Sequence, residues 1–352
     1  MRRYRSSILG LAGLAAFIIC GLPLPAHAAP SSDSSFNLVT SPLPINLVGP
    51  PGSTLTADIR VKNGDTVATK LKVTLMKFSA YGEQGKPAIA DRGPGDDYFD
   101  WVSFSPQTFD APPNVWETVK VTVKLPKTAA FGYYYAVTFS QANPAKPVGK
   151  QNVILGSTAV LVLVDAQAPG EHRTAKVVSF TADRRFYEFL PATFTVKLHN
   201  SGNIHLVPTG DIFISKGGGK TLATLTVNSA LGNILPGTNR IFTASWNDGF
   251  PRYVTKQVNG DIVLDKHDKP VTSLQWDFSR ASKLKFGHYT AHLTMAYDNG
   301  QRDVPLEAEV SFWVVPWRIL AAILVVVIFV GIGLWSTGRN IVRKTRKIKK
   351  KS

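Results

Sequence analysis

The sequence predicts an all-β protein made of two tandem immunoglobulin-like β-sandwich domains, together with an N-terminal signal peptide and one C-terminal transmembrane helix. Three observations lead to this prediction. Apolar and polar residues alternate along many short segments, a six-residue motif recurs in both halves, and a long uncharged run precedes a basic C-terminus. The predicted boundaries are 1–28 for the signal peptide, 35–165 and 175–313 for the domains, 319–335 for the helix and 336–352 for the tail.

Period-two alternation is the main signal for strands. In "STLTADIRVKNGDT", residues 53–66, Leu55, Ala57, Ile59 and Val61 alternate with polar residues, and Asn63-Gly64 then supplies a turn. The same pattern runs through "VWETVKVTVKLP". Strands of this kind bury one face and leave the other in water, so the sequence predicts sheets packed against one another.

A short repeat indicates that one β-sandwich module is used twice. Residues 131–136 read "FGYYYA" and residues 286–291 read "FGHYTA", each at the head of a predicted strand. We expect the glycine to turn the chain and the tyrosine to pack at the corner of the sheet. Between the modules, the segment "DAQAPGEHRT", residues 165–174, has the composition of a linker.

The first 28 residues are typical of a secretory signal. Three arginines among the first five residues precede an apolar run from Ile8 to Leu22, and Ala26-His27-Ala28 follows as a small-residue cleavage site. The only cysteine, Cys20, lies within the run. The mature chain is therefore expected to have no disulfide, and its modules must be held by apolar cores.

The uncharged segment 319–335, "ILAAILVVVIFVGIGLW", predicts a helix that crosses a bilayer. Three tryptophans at its edges are expected to lie at the membrane interfaces: Trp313, Trp317 and Trp335. Eight Lys and Arg residues follow without an acid, including Arg339, Arg343, Lys344, Arg346 and Lys347, which we expect to determine the topology. The predicted location is the cell membrane, single-pass, with a cytoplasmic tail and residues 29–318 outside.

The formal net charge of +16 mostly reflects these two terminal regions. The eight tail cations and the three signal arginines account for eleven charges, which leaves +5 for the part of the chain outside the membrane. No nucleic-acid partner is therefore predicted.

Two histidines six residues apart, His199 and His205, lie in "FTVKLHNSGNIHLVPTGDIFIS", residues 194–215. The alternation places His199 on the solvent side of its strand, and residues 200–203 have turn composition. His205 could face His199 across a hairpin, but a zinc site needs a third ligand and neither Cys nor an acid is near in sequence. We therefore expect a turn, with no metal and no cofactor. The nearby "SKGGGKT" predicts a glycine hairpin, because Ile214 occupies the position where a phosphate-binding loop needs glycine.

The acidic loop with Asp96, Asp97 and Asp100 leaves two interpretations open. Its carboxylates could coordinate calcium, but their spacing lacks the alternation of a dedicated calcium loop, so a solvated loop is the other interpretation.

Several segments resemble the WxL-interacting proteins of Gram-positive bacteria. In the first module these are "PGSTLTADIRVKNGDTVATKLKVTLMKF" and "VTVKLPKTAAFGYYYAVTF", and in the second "FTVKLHNSGN" and "FGHYTAHLTM". The resemblance implies that the first domain associates with peptidoglycan and the second with a WxL-type surface protein. It carries over no binding residue, and the segment "VNGDIVLDKHDKP" departs from the family pattern.

We therefore predict a binding protein and not an enzyme. Its expected partners are peptidoglycan or another cell-wall polymer, a surface protein, and the lipid bilayer through the helix. Aromatic residues in loops and at strand ends are the predicted contacts: Tyr81, Tyr98, Trp101, Trp116, Phe250 and Tyr253. Two alternatives stay open: an accessory subunit that scaffolds another membrane protein, and an extracellular hydrolase with paired carboxylates about 5 to 10 Å apart.

Overall fold

The computed structural model describes residues 37–143, 156–258 and 260–349, with side chains described up to residue 339. The predicted signal peptide lies outside the described residues. The all-β prediction is confirmed: the described chain forms two β-sandwiches followed by one apolar helix.

The described residues of the first module form ten strands in two sheets. They are β1 (Leu38–Ser41), β2 (Ile45–Gly49), β3 (Thr54–Asn63), β4 (Thr69–Tyr81), β5 (Lys86–Ala90), β6 (Val102–Ser105), β7 (Thr108–Ala111), β8 (Trp116–Lys124), β9 (Phe131–Gln141) and β10 (Ser157–Ala166). One sheet has the order β1-β3-β8-β6, and the other has the order β2-β10-β9-β4-β5 with β7 also on β4. A 3-10 helix, Asp97–Trp101, precedes β6.

Twelve strands are present in the described part of the second module. They are β11 (Ala175–Ala182), β12 (Phe186–Tyr187), β13 (Ala192–Asn200), β14 (Thr209–Lys216), β15 (Thr221–Val227), β16 (Asn239–Trp246), β17 (Arg252–Thr255), β18 (Gln257–Val258), β19 (Asp261–Ile262), β20 (Thr272–Gln275), β21 (Gly287–Asp298) and β22 (Asp303–Val314). Its sheets have the orders β11-β13-β16 and β12-β22-β21-β14-β15. The segment between β16 and β21 adds two small ribbons, β17-β20 and β18-β19, and a 3-10 helix, Phe278–Lys283.

The two modules share a strand arrangement. In each, a short early strand pairs in parallel with the last strand, β2 with β10 and β12 with β22, while the remaining pairs within both sandwiches are antiparallel. The predicted glycine hairpin joins β14 to β15.

Alternation along the strands builds both cores. In the first module Ile59 and Val61 on β3 and Val119, Val121 and Val123 on β8 are at most 1% exposed. In the second module Phe194, Trp246 and Phe312 pack edge to face at 5.4 to 6.1 Å between centroids. Full burial of such side chains contributes about 1.5 to 3 kcal/mol each, and this burial replaces the disulfides that the modules lack.

A buried asparagine organises the same corner of each module. The Asn63 amide nitrogen donates to the carbonyls of Val67 and Ala111, and its side-chain oxygen accepts from the Asp65 amide at 2.9 Å. In the second module Asn200 donates at 2.8 Å to two carbonyls and accepts from a backbone amide two residues later. Both asparagines are 0% exposed. Each therefore satisfies buried backbone groups where the chain leaves one sheet for the other.

The repeated motif superposes with an offset of one residue. The hydroxyl of Tyr133 accepts from the Ala130 amide at 3.0 Å, and that of Tyr289 accepts from the Phe286 amide at 3.2 Å. The preceding positive φ values fall at Phe131 (67°) and Gly287 (123°). The corner tyrosines are thus Tyr133 and Tyr289, whereas the sequence motif aligns Tyr134 with Tyr289. The expectation that glycine turns the chain holds only in the second module.

The C-terminal helix α1 (Trp317–Lys349) begins three residues after the last strand. Its segment Trp317–Arg339 is 23 residues long, has a mean hydropathy of 2.8 and buries none of its most apolar window, so it is not a core helix of the modules. At 1.5 Å per residue it is long enough to cross a hydrocarbon layer of about 30 Å.

The tryptophans and the basic residues bracket this segment. Trp317 and Trp335 are 57% and 68% exposed, and Trp313 at the end of β22 is 44% exposed. The Arg339 guanidinium lies 5.3 Å from the Trp335 ring centroid. The other predicted topology-determining residues, Arg343, Lys344, Arg346 and Lys347, lie on the last turns of α1. The orientation of the helix stays a prediction.

We expect Asn200→Ala to lower the free energy of unfolding of the second module by about 3 kcal/mol, because two buried carbonyls and one amide lose their partner. Chemical denaturation of the full chain in detergent, followed by circular dichroism, measures the change. Asn46→Ala is the matched control, since Asn46 is exposed on β2. Equal losses for the two variants would contradict a role for the buried amide.

Candidate functional site

The turn between β4 and β5 joins the first module to the second within the compact unit that starts at Asn37. The Glu83 carboxylate accepts hydrogen bonds from Lys197 at 2.6 Å and from Asn239 at 2.9 Å. These two bonds hold the pKa of Glu83 below its ordinary value. The Glu83 carbonyl also accepts from the Ile241 amide at 2.7 Å. One turn thus makes three contacts with β13 and β16.

His205 lies at this interface and not at a metal site. Its amide donates to the Tyr134 hydroxyl at 3.0 Å, and the two rings meet edge to face at 5.7 Å. Burial lowers the pKa of His205 to about 4 and raises the pKa of Tyr134. Residues 200–203 form a turn as expected, but it closes no hairpin, because β13 and β14 belong to different sheets. His199 instead bonds to Asn239 at 2.8 Å.

Ion pairs and hydrogen bonds hold both ends of the linker predicted over residues 165–174. Asp165 closes β10 at 1% exposure and pairs with Arg173, which also contacts Glu171 at 3.0 Å. Despite the arginine, burial and the Glu171 carboxylate raise the pKa of Asp165 to about 6. The His172 amide donates to the Asn203 side chain at 2.9 Å, so the linker is fastened to the second module.

An apolar groove of about 360 Å³ lies between the modules beside these contacts. One wall comes from the first module and includes Phe78, Ile89, Leu161 and Leu163. The other wall comes from the second module's loop 230–235 and from Arg240. Among the described lining residues there is no acid, histidine, serine or cysteine. The groove therefore offers surfaces for binding and no acid–base pair for catalysis.

Arg240 supplies the charge of the groove. Its guanidinium donates to the Asn233 carbonyl and lies 5.4 Å from the Phe242 ring centroid. Burial lowers the pKa of Arg240. No carboxylate of the described part of the chain forms an ion pair with it, whereas Arg92, Arg173 and Arg280 each have one. A half-buried guanidinium without an acidic partner suits a carboxylate brought by a ligand.

The acidic loop is neutralised by basic residues of its own module. Lys77 contacts Asp96 at 2.8 Å, and Arg92 binds Asp100 through two nitrogens, one of them at 2.9 Å. Lys77 and the Gly93 amide hold the pKa of Asp96 below its ordinary value. Within the described ranges, no group of three or more His, Cys, Asp or Glu side chains is arranged to hold a metal.

The four aromatic residues predicted as contacts in the first module lie in different places. Tyr98 and Trp101 are half-buried and pack on Tyr133, with centroid distances of 5.5 and 4.7 Å. Trp116 lies at the other end of β8, is 41% exposed, and has Arg60 and Lys62 each 5.4 Å from its centroid. Tyr81 is 69% exposed and ends β4. Their role in binding stays a prediction.

The two aromatic residues predicted in the second module belong to one cluster. Phe250 is only 8% exposed, and Tyr253 is half-buried against Phe189. Their exposed neighbours Trp276 and Phe278 and the groove residue Arg240 were not among the residues predicted from the sequence. The apolar run "TAVLVLV" in β10 is the sequence feature that indicates the groove. A strand that is apolar on both faces must have both faces covered by other parts of the protein.

Comparison with solved structures finds similar chaperones. The chain is similar to the class 5 fimbriae chaperone CfaA, with a TM-score of 0.37 and 13% identity over 78% of this chain and 98% of that chain. It is also similar to the E. coli chaperone DraB (TM-score 0.32, 11% identity, 78% and 99% covered). A third similar structure is the Pseudomonas aeruginosa CupB2 chaperone, with a TM-score of 0.33 and 8% identity over 78% of this chain and 100% of that chain. No family model and no curated protein matches the sequence.

The buried His205 predicts a pH-dependent interface. Because its folded pKa of about 4 lies below the ordinary histidine value of 6.5, the unfolded chain binds the extra proton in this window and stability falls as pH drops from 6.5 towards 4. We expect the wild type to lose up to about 3 kcal/mol more than His205→Gln over this range. Denaturation at both pH values measures the difference.

The neighbouring Asp165 acts in the opposite direction, since its raised pKa makes the folded state bind protons more readily than the unfolded state. Asp165 is present in the wild type and in His205→Gln, so its effect on the pH dependence of stability cancels when the two proteins are compared. Parallel pH profiles for the two proteins would contradict the assignment to His205.

Proposed function

We propose that this chain is a membrane-anchored binding protein of the bacterial cell surface that bridges a cell-wall polymer and a protein partner. The observation that carries the proposal is the apolar groove with Arg240, which pairs with no carboxylate of the described residues, in a chain whose last described element is long and apolar enough to cross a membrane. The bridging role and the location outside the cell rest on the resemblance to WxL-interacting proteins and on the basic tail.

A protein segment fits the groove better than a small polar ligand. The walls expose leucine, isoleucine and phenylalanine side chains, which bind apolar side chains by excluding water. Arg240 adds one charge-assisted hydrogen-bonding position for a carboxylate. The contacts of Glu83 and Tyr134 hold the two walls together before a ligand arrives, which lowers the entropic cost of binding.

The first module is the proposed site for the wall polymer. Its half-exposed Tyr98 and Trp101 present aromatic surface beside the Arg92–Asp100 pair, which combines apolar contact with hydrogen-bonding groups. Tyr98, Asp100 and Trp101 lie on the 3-10 helix that precedes β6, and the hydrogen bond from Arg92 holds the pKa of Asp100 below its ordinary value.

The groove predicts a crosslink that depends on Arg240. We expect a photoreactive amino acid at Ile89 to form one discrete protein adduct in cells, and Arg240→Gln to reduce that adduct at least tenfold, because the partner carboxylate loses its counter-charge. Arg302→Gln is the matched control, since Arg302 is exposed on the second module. An adduct equally strong in both variants would exclude Arg240 from the site.

Co-sedimentation with insoluble peptidoglycan tests the wall contact. We expect the full chain in detergent to pellet with the wall material, and Trp101→Ala to weaken this binding at least several-fold, because it removes the largest aromatic surface of the cluster. Val67→Ala is the matched control, since Val67 is an exposed apolar residue of the same module. If the wild-type chain stays in the supernatant, the wall partner is excluded, and the groove proposal is tested by the crosslink alone.

A further inference from the structure

One end of the second module lies next to the transmembrane helix. Because β22 runs into α1, its terminal Val314 marks this end, and Val314 pairs with Gly287 at the start of β21. Lys216 pairs with Tyr289, which brings the β14–β15 hairpin to the same end. The insert between β16 and β21, residues 247–286, begins and ends here as well. We call this surface the membrane-proximal end.

An aromatic cluster occupies this end. Phe189 and Phe250 are 4% and 8% exposed and form its base, whereas Trp276 and Phe278 are 48% and 73% exposed. The Trp276 and Phe278 rings are stacked, with centroids 6.1 Å apart and an interplanar angle of 27°. Phe250 lies 5.8 Å from Trp276 and 5.5 Å from Phe278. The cluster is thus rigid at its base and open to solvent at its tip.

A chain of contacts connects the cluster to the first turn of the helix. Arg318 pairs with Glu188 at 3.3 Å, and the Tyr253 hydroxyl donates to the same carboxylate at 3.4 Å. The ring centroids of Tyr253 and Phe189 are 6.3 Å apart, and those of Phe189 and Trp276 are 6.4 Å apart. Three side chains, those of Glu188, Tyr253 and Phe189, therefore connect the exposed Trp276 ring to Arg318 at the start of the membrane segment.

Further apolar side chains at this end are exposed. Phe186 on β12 pairs with Trp313 on β22, and they are 68% and 44% exposed. Leu284 and Phe286, just before β21, are 42% and 51% exposed. Large apolar side chains concentrated on one end of a module are typical of a surface that contacts another phase or partner.

The charge of this end is positive. The segments 183–188, 215–220, 247–286 and 313–318 carry twelve Lys and Arg residues against seven Asp and Glu. Their excess of five equals the whole net charge of the chain outside the membrane helix, tail and signal. Basic side chains near a bilayer surface are attracted by anionic headgroups.

We propose that the membrane-proximal end of the second module rests in the interfacial region of the bilayer, with Trp276 and Phe278 at headgroup depth and the basic residues against anionic phospholipids. The occupant is the membrane itself because the aromatic surface is continuous with the helix, and tryptophan favours the interface. The seating would hold the sandwich in one orientation above the membrane. The inference rests on the spanning helix of the proposed function, and not on either of its ligands.

Spin-label accessibility tests this seating in the full chain. The chain with Cys20→Ser is reconstituted in nanodiscs of phosphatidylcholine with phosphatidylglycerol, and single labels are placed at Ala281→Cys, Gln301→Cys and Ile328→Cys. Ala281 is exposed beside Phe278, Gln301 is exposed on the β21–β22 turn at the other end of the module, and Ile328 lies mid-helix. We expect oxygen accessibility relative to a water-soluble nickel complex to be several-fold higher at 281 than at 301.

A second variant separates the aromatic contact from proximity to the helix. Trp276→Ser with Phe278→Ser should return the label at position 281 to the values of position 301, with the circular dichroism spectrum unchanged. Water-like values at 281 in the parent chain, or values unaffected by the two serines, would overturn the seating. Position 328 must report a lipid environment, and water-like values there would overturn the spanning helix on which both proposals rest.

Discussion

The structure depends on one sheet that is apolar on both faces. In β10 the side chains of Val160, Val162 and Val164 face the core of the first module and are at most 1% exposed. Leu161 and Leu163, which alternate with them, line the groove. A sheet of this composition cannot leave its second face in water without a large cost in exposed apolar area, so the second module covers part of it. The uncovered remainder is the groove.

Few polar contacts fix the relative position of the modules, and each is buried or charged. Glu83 has three partners on the second module, and Tyr134 and His205 contact each other where both are largely buried. In such surroundings a lost partner leaves an unsatisfied group, which costs more than the bond contributes. A small number of contacts can therefore define the geometry of a groove. The linker, bonded through Asn203, reduces the remaining freedom.

The second module has two functional ends because of its chain order. Its first-module end carries the loops at 201–205 and 230–240, which form the interface and one groove wall. Its other end carries the insert, the glycine hairpin and the entry into α1. The strand directions separate these loop sets by the length of the sandwich. A partner in the groove and the bilayer at the opposite end can thus be contacted at the same time.

Local pattern was enough to determine the fold class, because a period of two, turn residues and an uncharged run are each readable within a dozen or so residues. It predicted the strands around Ile59 and Val121, the hairpin at 217–220 and the apolar helix. It could not assign the one-residue offset between Tyr133 and Tyr289, since backbone conformation at Phe131 and Gly287 decides which tyrosine reaches the corner.

The groove and the partners of His205 were decided only by tertiary structure. His205 and Tyr134 are 71 residues apart in sequence, and Glu83 and Asn239 are 156 apart. The packing of the two modules brings such pairs together. A period-two pattern along a strand does not predict how two modules pack against each other. The sequence by itself determined which faces are apolar. The tertiary structure decided what covers them, because burial depends on which surfaces meet and not on which residues are adjacent.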